Sequence, residues 1–89
     1  MNPMANSKYL DEWTSKLTVG QRLKFARTKR EISQKELSRR SGIPPTSLSA
    51  YVNDRVEPPF IAIICLADAL EVSLDWLAGR RSSEWRDLN

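Results

Sequence analysis

The chain has 89 residues, 40% of them hydrophobic and 28% charged, which suits one soluble domain with a small core. It contains no apolar run of about 18 residues and begins with no basic-then-apolar signal pattern, so no membrane span is expected and the sequence reads as cytoplasmic. Histidine is absent, Cys65 is the single cysteine, and Gly20, Gly42 and Gly79 lie far apart. An internal disulfide, a zinc site, a Gly-rich phosphate loop and histidine-based catalysis all fall away, leaving no metal, no cofactor and no enzyme to expect.

The net charge of +3 is unevenly spread. Residues 20–55 hold nine cations against three anions, and residues 56–89 hold three against six. A basic first half and an acidic second half suggest one face suited to a polyanion, or a merely solvated surface.

In chain order, Tyr9, Trp13 and Leu17 fall four apart. They predict an amphipathic helix over about 7–16, inside an N-terminal extension of residues 1–17. Thr18 and Gln21 fit a capping box that opens a helix running to about Lys29. Ser33 and Glu36 form a second box, with Ile32 and Leu37 spaced as a hydrophobic staple, and Gly42 ends that helix. Pro45 suits the first position of a third helix, whose apolar stripe is Leu48, Tyr51 and Val52. The stretch "NDRVEPP" is a loop, and Pro59 suits the start of a fourth helix. "FIAIICLADAL" is apolar nearly all round, as a buried central helix would be, and it places Cys65 as a buried structural thiol. Ser73 caps a last helix, Val72 and Leu77 staple it, and Gly79 stops it. No segment alternates like a strand. Residues 18–79 thus form the predicted domain, and 80–89 read as a tail.

Two short helices joined by a glycine turn, within an all-α domain with a basic half, make a helix-turn-helix pattern. Ser38 supplies the small residue where two such helices cross. Residues 18–79 resemble the phage-repressor-type helix-turn-helix domains of the lambda repressor and Cro (XRE) family. The resemblance is carried by "RLKFAR", "SQKEL", "SGI", the apolar spacing through Tyr51, Pro58, "LADALEVS" and "LDWLAG". It implies a five-helix bundle, here with an additional N-terminal helical segment. It also implies a homodimer, and a transcriptional repressor bound to two-fold-related operator half-sites in double-stranded DNA.

Carried over residue by residue, the resemblance puts Pro45, Thr46, Ser47, Ser49 and Ala50 towards the major groove. It puts Gln34 on a phosphate at the start of the second helix, and Asn53 and Arg55 on flanking phosphates. Lys35 and Arg39 join the expected phosphate contacts. Arg39 and Arg40 point about 100° apart, so at most one of them faces a duplex squarely. Trp76 and Leu77 are expected to serve the core and, as the resemblance implies, a two-fold interface near the last helix. Lys24, Lys29 and Arg30 read as surface charge.

The chain also departs from the family pattern. Pro45, Thr46 and Ser47 stand where Gln, Arg or Asn is frequent, so bidentate base contacts are absent there. Val52 replaces a glutamate that often pairs with the arginine matching Arg27, so Arg27 needs another partner. Asp54 replaces a frequent glycine and brings a negative charge near the phosphates. These departures motivate an alternative: a protein–protein module on the same fold, an antitoxin or an antagonist of another regulator.

Overall fold

The computed structural model describes residues 17–79. The expected helix at 7–16 and the tail at 80–89 lie outside them. Five helices occur among the described residues: α1 Val19–Lys29, α2 Gln34–Ser41, α3 Pro45–Val52, α4 Phe60–Leu70 and α5 Leu74–Leu77. There is no strand among them.

Local chemistry sets the boundaries. The Thr18 hydroxyl accepts the Gln21 N–H at 3.1 Å, and the Gln21 side chain accepts the Thr18 N–H at 2.9 Å, so the first capping box closes fully. The second closes only halfway. Ser33 accepts the Glu36 N–H at 3.0 Å, but the Glu36 carboxylate turns outward to Arg39 and Arg40 instead of reaching back. Two guanidinium groups outcompete one backbone amide for that carboxylate. Gly42 adopts φ +76° and donates its N–H to the Ser38 carbonyl, the left-handed stop expected of it. Pro45 occupies the first position of α3, and Ser73 caps α5 through the Trp76 N–H at 3.2 Å. Pro59 is the residue before α4 rather than its first member.

One leucine-rich core joins all five helices: Leu23 and Ala26 of α1, Leu37 of α2, Leu48 and Val52 of α3, Ile63, Leu66, Ala67 and Leu70 of α4, and Leu77 of α5. α4 packs against α2 and α5, while α1 packs against α3 and α5. The expectation that α4 is buried all round is corrected at its N-terminus. Phe60 and Ile61, in its first turn, are 69% and 66% exposed. Cys65 is half-buried rather than enclosed.

Three arginines, one of them buried, brace the bundle through backbone carbonyls. Arg22, 3% exposed, donates to the carbonyls of Leu17 and Trp76 and lies 5.5 Å from the Trp76 ring centre. Arg27 donates to the Ile32 carbonyl at 2.9 Å, which is the partner the sequence left open for it. Arg30 is exposed, as its reading as surface charge expects, and it also bonds the carbonyls of Leu70 and Glu71 at 2.8 and 2.7 Å. Those are the orphan acceptors at the end of α4, where Glu71 itself sits at φ +56°.

A close approach fixes the start of α1. A Cβ built on Gly20 would lie 2.4 Å from the Val52 carbonyl oxygen and 2.8 Å from the Asp54 carboxyl carbon. Gly20→Ala is therefore expected to lower stability by about 2–3 kcal/mol through overpacking. The check is a chemical denaturation curve whose midpoint falls while its slope is unchanged.

Candidate nucleic-acid interface

α3 carries its apolar residues on one side and its small polar ones on the other. Leu48 and Val52 are buried, and Tyr51 packs against the core. Pro45 and Thr46 are exposed, while Ser47, Ser49 and Ala50 are half-buried. At about 100° per residue, Thr46, Ser49, Ala50 and Asn53 fall on one outward flank. None of these side chains points into the core.

α2 leads into that surface. Ser38, only 8% exposed, donates its hydroxyl to the Ile43 carbonyl, and Ser41 accepts the Ile43 N–H at 3.2 Å. These two bonds and Gly42 set the turn that aims α3. At the other end of α2, Ser33 takes up the Glu36 amide. Among the described residues the amides of Gln34 and Lys35 have no partner, as expected of the first turn of a helix. Such an end favours anions, by its free N–H groups and by the positive end of its dipole. Gln34 is half-buried there, and Lys35 is exposed.

The loop after α3 is tightly organised. The N–H groups of Asp54 and Arg55 donate back to the carbonyls of Tyr51 and Ala50, and Asp54 sits at φ +56°. Asn53 donates its side-chain amide to the Ser49 carbonyl at 2.9 Å, and Arg55 is exposed. The Asp54 carboxylate accepts the Thr18 hydroxyl at 2.6 Å and the Gly20 N–H at 3.0 Å. Its negative charge is thereby held at the N-terminus of α1, where the helix dipole favours it. Asp54 is a loop-to-helix clamp that sequence reasoning missed; nothing local marks it, because Thr18 lies 36 positions away.

The basic face is also smaller than the residue count suggests. Arg22, Arg27 and Arg30 are engaged with backbone carbonyls. Glu36 holds both Arg39 and Arg40, at 2.5 and 2.7 Å. Hydrogen bonds from Arg39, then Arg40, pull the Glu36 carboxyl down to about 2. The group stays ionised well below neutral pH. Any stability it lends is present above the usual carboxylate range and is lost as pH falls towards 2, and screening keeps it small on so exposed a site. Arg39 reaches solvent, but it carries an ion-pair partner. Lys24, Lys29, Lys35 and Arg55 remain as exposed cations without a carboxylate among the described residues.

A family model described as helix-turn-helix matches residues 23–77. The chain belongs to the Cro/C1-type helix-turn-helix (XRE) family. No curated protein and no solved structure matches it. The match spans all of α2 to α5 and all of α1 but its first turn, so the α2–turn–α3 unit just described is the helix-turn-helix itself. Members of this family are DNA-binding transcriptional regulators, and double-stranded DNA is the partner the domain implies. No described helix is long and apolar enough to cross a membrane, and no group of three potential metal ligands occurs among the described residues.

Leu77 is fully buried in the core of its own chain. The four-residue α5 has one inward position to fill, and Leu77 fills it. Trp76 is half-buried, with its ring 6.1 Å from that of Phe25 and against Arg22.

Proposed function

We propose that this protein is a transcriptional repressor that binds a two-fold-related operator in double-stranded DNA as a homodimer. α3 lies in the major groove and presents Pro45, Thr46, Ser47, Ser49 and Ala50 to base edges. The first turn of α2, with Gln34 and Lys35, and the loop with Asn53 and Arg55 grip the flanking phosphates. Arg39 joins them when it leaves Glu36. The observation that carries this reading is the outward polar flank of α3, bracketed by the open amides of α2 and by Arg55. Phosphate contacts fix affinity and register, and base-edge contacts fix sequence. With no long amide or guanidinium on the opening turn of α3, discrimination runs through single hydrogen bonds, thymine methyl contacts, water and duplex shape. The exposed part of Trp76 remains the candidate two-fold contact.

The test separates the two contact classes. Gln34→Ala and Arg55→Ala are expected to weaken binding to all duplexes alike, with Arg55→Ala lowering the salt slope by about one. Thr46→Ala is expected to relax preference at one base position, by at most about 1–3 kcal/mol. Uniform weakening by Thr46→Ala would remove α3 from the groove.

A second reading, a protein–protein module on the same fold, is favoured by Phe60 and Ile61, whose exposure leaves apolar surface beside the loop. It predicts a mass increase with a partner protein and none with a duplex.

A further inference from the structure

The three hydroxyls of α3 differ in the hydrogen-bonding capacity they have left. Among the described residues, those of Thr46 and Ser47 have no partner and are able to donate or accept. The Ser49 hydroxyl oxygen accepts from the Asn53 side-chain amide at 3.4 Å and from the Arg55 guanidinium at 3.3 Å. The same Asn53 nitrogen donates to the Ser49 carbonyl at 2.9 Å, which fixes the way the amide faces. Amide NH₂ and guanidinium groups only donate, and a hydroxyl has two lone pairs and one hydrogen. Both lone pairs of Ser49 are therefore occupied, while its hydrogen has no acceptor among the described residues.

We infer that Ser49 is a one-way reader, which donates to an acceptor on a base edge (purine N7, guanine O6 or thymine O4) and rejects the amino groups of adenine and cytosine. The inference rests on the reading of α3 as the groove helix. The major groove presents acceptors and amino donors in a pattern that differs for each base pair, so a group able only to donate discriminates where a free hydroxyl does not. This polarity comes from residues four and six positions further along, and not from α3 itself. Arg55 gains a second role as a positioning residue: one nitrogen orients the Ser49 oxygen, which leaves the others for a phosphate.

The experiment begins by selecting duplexes from a random pool with the wild-type chain and with Ser49→Ala, a change that suits a helix and leaves the core untouched. The base pair whose preference disappears in the variant is then rebuilt with single groups deleted. Analogues lacking purine N7, guanine O6 or thymine O4 remove acceptors, and analogues lacking the adenine or cytosine amino group remove donors. Deleting one acceptor is expected to weaken wild-type binding about three- to tenfold, the size of one hydrogen bond, and to leave Ser49→Ala unchanged. Deleting an amino group is expected to change neither. Asn53→Ala, which frees a lone pair on Ser49, is expected to narrow the difference between the two kinds of deletion. The inference is overturned if an amino deletion weakens the wild type but not Ser49→Ala, or if Ser49→Ala loses preference at no position. If no duplex is enriched at all, the groove reading itself falls, a result distinct from either of these.

Discussion

Replacing Leu48 with alanine should cost about 2–5 kcal/mol and abolish duplex binding with it. The magnitude follows from deleting a fully buried leucine and leaving a cavity. A chain of this size has on the order of 5–10 kcal/mol of stability in total, so the loss is a large fraction of it. The coupling to binding follows from how α3 is held. It has eight residues and no side-chain cap at its N-terminus, and its only buried side chains are Leu48 and Val52. An isolated helix of that length does not persist in water, so packing is what makes α3 a helix at all. Leu48→Met keeps the volume and is expected to cost less than about 1.5 kcal/mol. Denaturation curves and duplex titrations on both variants check the prediction. An alanine variant that keeps full stability and full binding would show that α3 is held by something other than its apolar stripe.

The second large effect is expected at Arg22. Its guanidinium is buried without a carboxylate, and burial alone pushes its pKa down, yet an arginine stays charged at any accessible pH. It ties the segment before α1, through the Leu17 carbonyl, to the end of α5, through the Trp76 carbonyl, while lying against the Trp76 ring. Arg22→Ala strands both acceptors, removes the cation–π contact and opens a cavity, for a loss of about 3 kcal/mol or more. Arg22→Lys keeps the charge but not the fork, since an ammonium does not span two carbonyls in one plane, and about half the loss is expected to remain. Urea titrations of the two variants check this. A lysine variant as stable as the wild type would mean that the charge, and not the shape of the guanidinium, matters there.

The helix boundaries were legible in the sequence because they are local. Thr18 with Gln21, Ser33, Gly42, Pro45 and Ser73 act within three or four positions of themselves, and spacing alone exposes them. The core stripe of α3 was legible for the same reason. What failed was long-range. The partners of Arg22 and Arg30 are backbone carbonyls 54 and 40 positions away, which no residue identity announces, so the basic half of the chain holds fewer free cations than its sequence suggests. Asp54 looked like a misplaced charge until the fold brought Thr18 and Gly20 to it. Phe60 and Ile61 looked buried because a helix apolar on every side has no polar residue to mark its outer face. Glu36 fitted a capping box by spacing, and two arginines one turn further on drew it away. The flank of α3 that carries Thr46, Ser49 and Ala50 was legible by elimination, since Leu48 and Val52 must face inward. The hydrogen bonds that set Ser49 apart from Thr46 and Ser47 were not.

The central claim is that α3 lies against base edges while cations and open amides at its two ends hold the phosphates. Its most direct test is the affinity of the full chain for duplex DNA, titrated from low to physiological salt. With Lys35 and Arg55 of each protomer neutralising phosphates, log K is expected to fall linearly with log salt, with a slope on the order of −4 for a dimer. A flat line, or no binding at the lowest salt, would contradict it.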